Sequence, residues 1–285
     1  MKLLRVGTAG AERPALLDGD GTLRDLSGVV ADIDGALLAD AAALDRIRAA
    51  AEAGELPALD ADWVRIGPPI GRIGKVVCIG LNYHDHARET GAEPPAEPVV
   101  FLKAADTVVG PNDPVLIPRG SVKTDWEVEL AIVIGRTARY LETDENALAH
   151  VAGYTIAHDV SEREFQIERG GTWDKGKNCE TFNPLGPWLV TADEVPDPQN
   201  LSLRLWVNGE LRQDGTTAEQ IFPVAEVVRY VSRFMTLYPG DVINTGTPAG
   251  VAMGQPEPKP YLRSGDVVEL EIDGLGRQRQ QLKEA

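Results

Sequence analysis

Cysteine is nearly missing from this chain. Its 285 residues include only Cys78 and Cys179, and neither belongs to a Cys-x-x-Cys pair, which argues against a disulfide framework or a structural zinc site. Positive charge is also scarce: 28 Lys+Arg face 44 Asp+Glu, a formal charge of -16. Non-specific binding to nucleic acid or to anionic membrane surfaces is therefore disfavoured. No apolar run approaches bilayer-spanning length, and residues 1 to 14 lack the apolar core of a signal peptide, so the cytoplasm is the expected location. There is no internal repeat. Long helices do not alternate with strands either, which argues against a doubly wound βαβ fold.

What is present fits an ordinary folded chain: 43% hydrophobic and 25% charged residues. The length allows one large domain, or a small one attached to a larger one. Residues 1–70 read as a small N-terminal domain. Leu3 to Val6 and the turn-rich Leu17 to Leu23 suggest a small antiparallel pair, and the Ala-rich stretch from Leu37 to Ala53, stopped by Gly54, suggests a helix. Gly67-Pro68-Pro69-Ile70-Gly71 marks a boundary, and residues 71–285 form the second unit. There, short strands are expected at 75–80, 99–102, 115–117, 127–134, 151–159, 201–207, 242–245 and 267–272. Helices are fewer, at 84–89, 145–150, 161–168 and 224–235. The pattern predicts an α+β fold dominated by mixed sheet.

Four segments carry chemistry. In Thr124-Asp125-Trp126-Glu127-Val128-Glu129-Leu130-Ala131-Ile132-Val133-Ile134, acids at alternate positions lead into an apolar strand. Period-two alternation predicts Asp125, Glu127 and Glu129 on one face, followed there by Ala131 and Val133. Grouped carboxylates at the mouth of an apolar strand repel one another and resist desolvation, so they call for a compensating cation. An exposed strand end would need none. Asp159 ends the apolar run Gly153 to His158, where locally it reads as a helix N-cap.

Histidine occurs four times, and two of the four, His84 and His86, fall within one turn. If a helix starts near Tyr83, His86 and Glu89 share a face, and a carboxylate beside an imidazole suits a base that activates water. The segment from Thr172 to Pro187 contains Lys175 and Lys177, either solvated or able to hold a carboxylate or a developing oxyanion. Residues Gly240 to Val251 form a strand emptying into a Gly/Thr turn, a plain turn or an anion cradle.

Taken in order, the segments resemble the fumarylacetoacetate hydrolase family over roughly residues 72 to 275. The matching features are Cys-x-Gly-x-Asn-Tyr-x-x-His-x-x-Glu at 78 to 89, Phe101-Leu102-Lys103, Asp-x-Glu-x-Glu at 125 to 129, Gly-Tyr…Asp-Val-Ser at 153 to 161, Lys177, and Gly-Thr-Pro-x-Gly-Val at 246 to 251. The resemblance implies the family's mixed β-sheet roll with few helices, its C-terminal domain type, behind a variable N-terminal region, and a homodimer. It implies that Glu127, Glu129 and Asp159 ligate a divalent cation, replacing the cap reading of Asp159. Oxygen-only ligands select a hard ion, Mg²⁺ first, with Mn²⁺ or Ca²⁺ as alternatives. Asp125 matches an acid that some relatives add to the ligand set.

The resemblance further assigns His86 and Glu89 as the water-activating pair, Lys177 as the active-site lysine, and Arg163, Gln166, Thr247 and Lys103 to the substrate. Asn178-Cys179-Glu180 departs from many relatives, so pocket shape beyond Lys177 does not carry over. The implied activity is metal-dependent hydrolysis of a C–C bond in a small 2,4-dioxo acid of the acylpyruvate type, giving pyruvate and a carboxylic acid. The segments 172 to 177 and 186 to 190 look like those of relatives that act on 2,4-diketo-3-deoxy sugar acids. Rival outcomes on the same fold are decarboxylation, isomerisation of a dienedioate, or a lyase reaction such as ureidoglycolate cleavage; a non-catalytic metabolite binder is the rival from another class. The breaker-rich run after Glu89 also suggests a lid over residues 83 to 98.

Overall fold

The strand Val128–Ile134 shows why its sequence is apolar without a break: all seven residues are buried. Val128, Leu130, Ile132 and Ile134 join the larger hydrophobic core, while Ala131 and Val133 join a second core on the opposite face. A strand covered on both faces has no solvent side to carry polar residues. In the computed structural model, which describes residues 1–59 and 65–285, this strand lies inside a ten-stranded sheet.

Across that sheet the main order is Leu23–Asp25, Arg13–Leu17, Lys2–Val6, Asn183–Thr191, Val151–His158, Val128–Ile134, Val242–Asn244, Val76–Gly80 and Val99–Lys103. Most neighbours run antiparallel, but Val242–Asn244 and Val76–Gly80 are parallel, so the sheet is mixed as expected. A five-stranded sheet, Glu210–Thr216, Ser202–Val207, Val267–Ile272, Gly276–Glu284 and Val115–Ile117, supplies the other wall of the larger core through Leu203, Leu205, Val268 and Leu270. Helices are few and short, and among the described residues none is long and apolar enough to cross a membrane.

The N-terminal region does not build a sheet of its own. Lys2–Val6 pairs antiparallel with Asn183–Thr191, Leu3 lying opposite Leu189, and so extends the large sheet. Leu3, Ile33, Leu37 and Ile47 then cover the face that holds Ala131 and Val133. The single helix expected at 37–53 is two, Gly35–Ala39 and Ala41–Glu52, because Asp40 leaves helical geometry and its carboxylate caps Ala43 N at 3.0 Å.

Among the strands that lacked a readable pattern are Asn183–Thr191, Glu210–Thr216 and Gly276–Glu284. Asn183–Thr191 contains two prolines, and Gly276–Glu284 buries Gln278 and Gln280 where a core strand normally places apolar residues. Their amides are satisfied: Gln278 donates to the carbonyls of Ile156 and Gly186, and Gln280 to that of Pro111. Because Leu3 is fully buried within the large sheet, Leu3→Ala is expected to cost about 2–5 kcal/mol in a denaturant titration. An unchanged midpoint would mean that the N-terminal strand contributes little to the common core.

Candidate active site

Glu127 and Glu129 lie two residues apart at the entry to the strand Val128–Ile134, so their side chains leave the same face, the one continued by Ala131 and Val133. The neighbouring strand is registered with Ala157 opposite Glu129 and His158 opposite Val128. Asp159 therefore arrives beside Glu127, where its N–H donates to the Glu127 carbonyl at 3.0 Å. The three carboxylates are buried, and each offers an oxygen within 4.8 Å of the others. Asp159 caps no helix.

Asp125 does not join them. The chain breaks between Thr124–Asp125, which pairs with Ser161–Glu162, and Val128–Ile134, so alternation does not run through the whole acidic segment. Asp125 instead accepts from the N–H groups of Ala252 and Met253 at 2.7 and 3.0 Å and from Arg163 Nε at 2.8 Å. Arg163 reaches Glu127 Oε1 at 2.7 Å and Gln166 Oε1 at 3.1 Å. It follows the short strand Ser161–Glu162 and precedes a π-helical turn, Glu164–Glu168, where an ordinary helix over 161–168 was expected. Such turns widen the helix and recur at functional sites.

Two lysines complete the buried charge cluster. Lys177, on the short helix Asp174–Lys177, lies 2.8 Å from Glu127 Oε2 and 2.9 Å from Asp159 Oδ2. Lys103 does not reach the cavity: its ammonium is spent on Asp159 and on the carbonyls of Val160 and Phe182. The expectation that it contacts substrate is therefore replaced by a role in holding Asp159. Burial alone would raise the Glu127 carboxyl, but Lys177 and Arg163 outweigh it and hold the group far below the usual carboxylate range. Among the described residues Glu129 has no basic partner and accepts only from Gly246 N, at 2.8 Å. Burial, then the charges of Asp159 and Glu127, push it well above that range. A hard cation among these oxygens would relieve that penalty, so the donor set fits a divalent metal ion.

His86 stands on the helix His84–Thr90, its Nδ1 at 3.3 Å from Glu89 Oε2. Glu89 is itself fixed, accepting from Gly250 N at 2.9 Å. His86 thus lies on a helix, not in the breaker-rich run that follows. With Nδ1–H given to the carboxylate, Nε2 keeps the lone pair needed to accept a proton. Gly246 has φ +92°, and a Cβ there would lie 2.8 Å from Asn82 Cβ, so only glycine lets the turn approach the connection that leads into this helix. The next residue, Thr247, donates its hydroxyl to the Val128 carbonyl and accepts from Gln213 Nε2, both at 2.8 Å. Gln213 comes from the five-stranded sheet and carried no signal in the sequence.

A cavity of about 210 Å³ brings the set together: the triad, His86, Lys177, Arg163, Gln166 and Thr247 all line it. Glu89 and Lys103 stand behind that lining, each holding a residue that reaches it. Sequence reading missed the apolar lining, in particular Trp173, Ile167 and Met253.

The family model for the fumarylacetoacetate (FAA) hydrolase C-terminal domain matches residues 75–283. The chain belongs to the fumarylacetoacetate hydrolase family. A protein of Burkholderia ambifaria (strain MC40-6), whose name calls it a hydrolase only provisionally, is 54% identical over 285 residues, with both chains covered in full. Among solved structures, this family member is similar to maleylpyruvate hydrolase from Sphingobium sp. SYK-6, determined with manganese(II) and pyruvate, at 30% identity and a TM-score of 0.81, with 100% of each chain covered. It is also similar to 2-hydroxyhepta-2,4-diene-1,7-dioate isomerase from Mycobacterium marinum, at 34% identity and a TM-score of 0.76, covering 100% of this chain and 98% of that one.

Calorimetric titration with Mg²⁺ or Mn²⁺ tests the triad. Glu127→Ala and Glu129→Ala are each expected to weaken binding by more than about 10²-fold, and Asp125→Asn, which acts through Arg163, by about 10–100-fold. Wild-type affinity in the two alanine variants would place the ion elsewhere.

Proposed function

We propose that the chain is a divalent-metal-dependent hydrolase that cleaves a C–C bond in a small 2,4-dioxo acid of the acylpyruvate type, releasing pyruvate and a carboxylic acid. The observation that carries this reading is His86, oriented by Glu89 and lining the same cavity as the acidic triad. A binding protein has no use for a base held in one tautomer.

When bound by Glu127, Glu129 and Asp159, the ion, Mg²⁺ by preference, would supply Lewis-acid polarisation of the 2-oxo acid. His86 accepts a proton from water at Nε2, and the water oxygen attacks the C4 carbonyl. Glu89 holds the ring and stabilises the imidazolium that forms, while its own position is set by Gly250 N–H. The C3–C4 bond breaks with its electron pair moving toward the C2 oxygen. Lys177, charged because Asp159 and Glu127 overcome the effect of its burial, stabilises that developing negative charge. Transfer of the proton held by His86 to C3, directly or through water, then completes pyruvate and returns the imidazole to its neutral form. The small cavity, below the range typical of drug-sized ligands, suits a substrate of this class. Support also comes from the maleylpyruvate hydrolase relative, whose structure holds manganese(II) and pyruvate.

Isomerisation of a dienedioate is the second reading, favoured by the likeness to the Mycobacterium marinum isomerase. An isomerase moves protons without consuming water, so product analysis separates the two. Incubation with Mg²⁺ and a panel of acylpyruvates is expected to release pyruvate, and chelation should abolish the release. His86→Ala is expected to retain metal binding and lose about 10²–10⁴-fold in kcat. Hydrolysis at the wild-type rate by that variant would remove His86 from the role of base.

A further inference from the structure

One wall of the cavity is aromatic and is built into the backbone. Trp173 lies so close to the strand end at Gly80 that a Cβ there would fall 2.3 Å from Trp173 Cζ3. Its ring meets Phe101 edge-on, with centroids 5.3 Å apart and an interplanar angle of 66°. Phe101 in turn lies under Lys177, whose Nζ is 5.2 Å from the ring centroid, so the wall begins where the charged cluster ends. Ile79, Ile167 and Met253 extend the apolar lining, and Ile167 is 52% exposed, which leaves an apolar residue at the solvent side of the cavity.

The polar groups of the cavity are largely committed. Arg163 is engaged by Asp125, Glu127 and Gln166, and Lys177 by Glu127 and Asp159. Thr247 donates to the Val128 carbonyl, and the hydroxyl of Thr90 to the carbonyls of His86 and Ala87. Apart from Arg163 and Lys177, no lysine or arginine among the described residues lines the cavity. A second carboxylate on the substrate would meet no unpaired cation there, and a chain of hydroxyls would meet few partners.

We propose that the substrate's acyl arm is neutral and apolar, and that Phe101 and Trp173, seated on Gly80, select it. The inference rests on the 2,4-dioxo acid reading and refines it: the favoured substrates are alkyl- or aryl-substituted acylpyruvates. Polyhydroxylated 2,4-diketo-3-deoxy sugar acids and dicarboxylates such as maleylpyruvate are disfavoured. The aromatic wall contributes area to a flat unsaturated or alkyl arm, and the apolar mouth admits its far end.

Two measurements on the full chain with Mg²⁺ test this. Pyruvate release is compared for hexanoylpyruvate, benzoylpyruvate, maleylpyruvate and a 2,4-diketo-3-deoxy sugar acid. Binding is measured calorimetrically for 2-oxo-4-phenylbutanoate, 2-oxoadipate and 2-keto-3-deoxygluconate, which lack the C4 carbonyl and are not cleaved. The apolar compounds are expected to lead by about 10²-fold in kcat/KM, with the same order in affinity. Trp173→Ala and Gly80→Ala are each expected to compress that preference by at least about tenfold, mainly through KM. Equal or better use of the dicarboxylate or hydroxylated compounds would overturn the proposal and leave the hydrolase reading standing. No pyruvate from any compound, with the binding order intact, would sink the hydrolase reading and leave the selection standing. No pyruvate from any compound, together with loss of the binding order, would remove both.

Discussion

The buried imbalance of charge around Glu127, Glu129 and Asp159 is the constraint on which the site depends. Lys103, Lys177 and Arg163 stand among these acids and Asp125, and Glu129 is the one left with a backbone N–H in place of a cation. Breaking a buried pair by removing one member typically costs about 3–5 kcal/mol, because the other charge stays behind without compensation. Each cation therefore fixes the carboxylate it touches. The arrangement is also unfinished without a further positive charge, since Glu129 is driven toward its neutral form. Structure and chemistry meet in that deficit: the sheet concentrates negative charge that the protein's own cations do not fully neutralise.

The sheet can hold such a cluster because its strands are covered on both sides. Val128–Ile134 sends alternate residues into two different cores, so its register has little freedom to slip. A one-residue shift would exchange Glu129 with Leu130 or Val128 and drive a carboxylate into the larger core. The N-terminal strands and helices thus belong to the architecture of the site although they contribute no side chain to it. They cover the face on which the carboxylates begin.

Much of this was legible because the chemistry lies in short contiguous patterns. Alternate acids before an apolar run placed Glu127 and Glu129 on one face, and the His86–Glu89 spacing put both on one side of a helical turn. The same alternation failed for Asp125, since periodicity in sequence does not reveal that the strand breaks at Trp126 and that Asp125 caps the turn at Ala252 and Met253. The strand bearing Gln278 and Gln280 was illegible because buried amides satisfied by carbonyls look polar in sequence. The cavity wall was hidden for a different reason: Phe101, Ile167, Trp173 and Met253 come from separate segments, and only the tertiary fold brings them together.

Gln213 links regions that are otherwise separate. From the five-stranded sheet it accepts from Val128 N at 3.0 Å and donates to Thr247 Oγ1 and the Pro248 carbonyl, both at 2.8 Å, so one side chain clasps the strand that follows Glu127 and the turn at Thr247. Nearby, the Gly250 turn packs on the Arg212 carbonyl and holds Glu89 in place. The seam between the two sheets thereby runs along the candidate site. Warming that loosens the smaller sheet would blur the positions of Glu127, Glu129, Thr247 and His86 together, so disorder at the joint between the layers would reach all four before either layer melts.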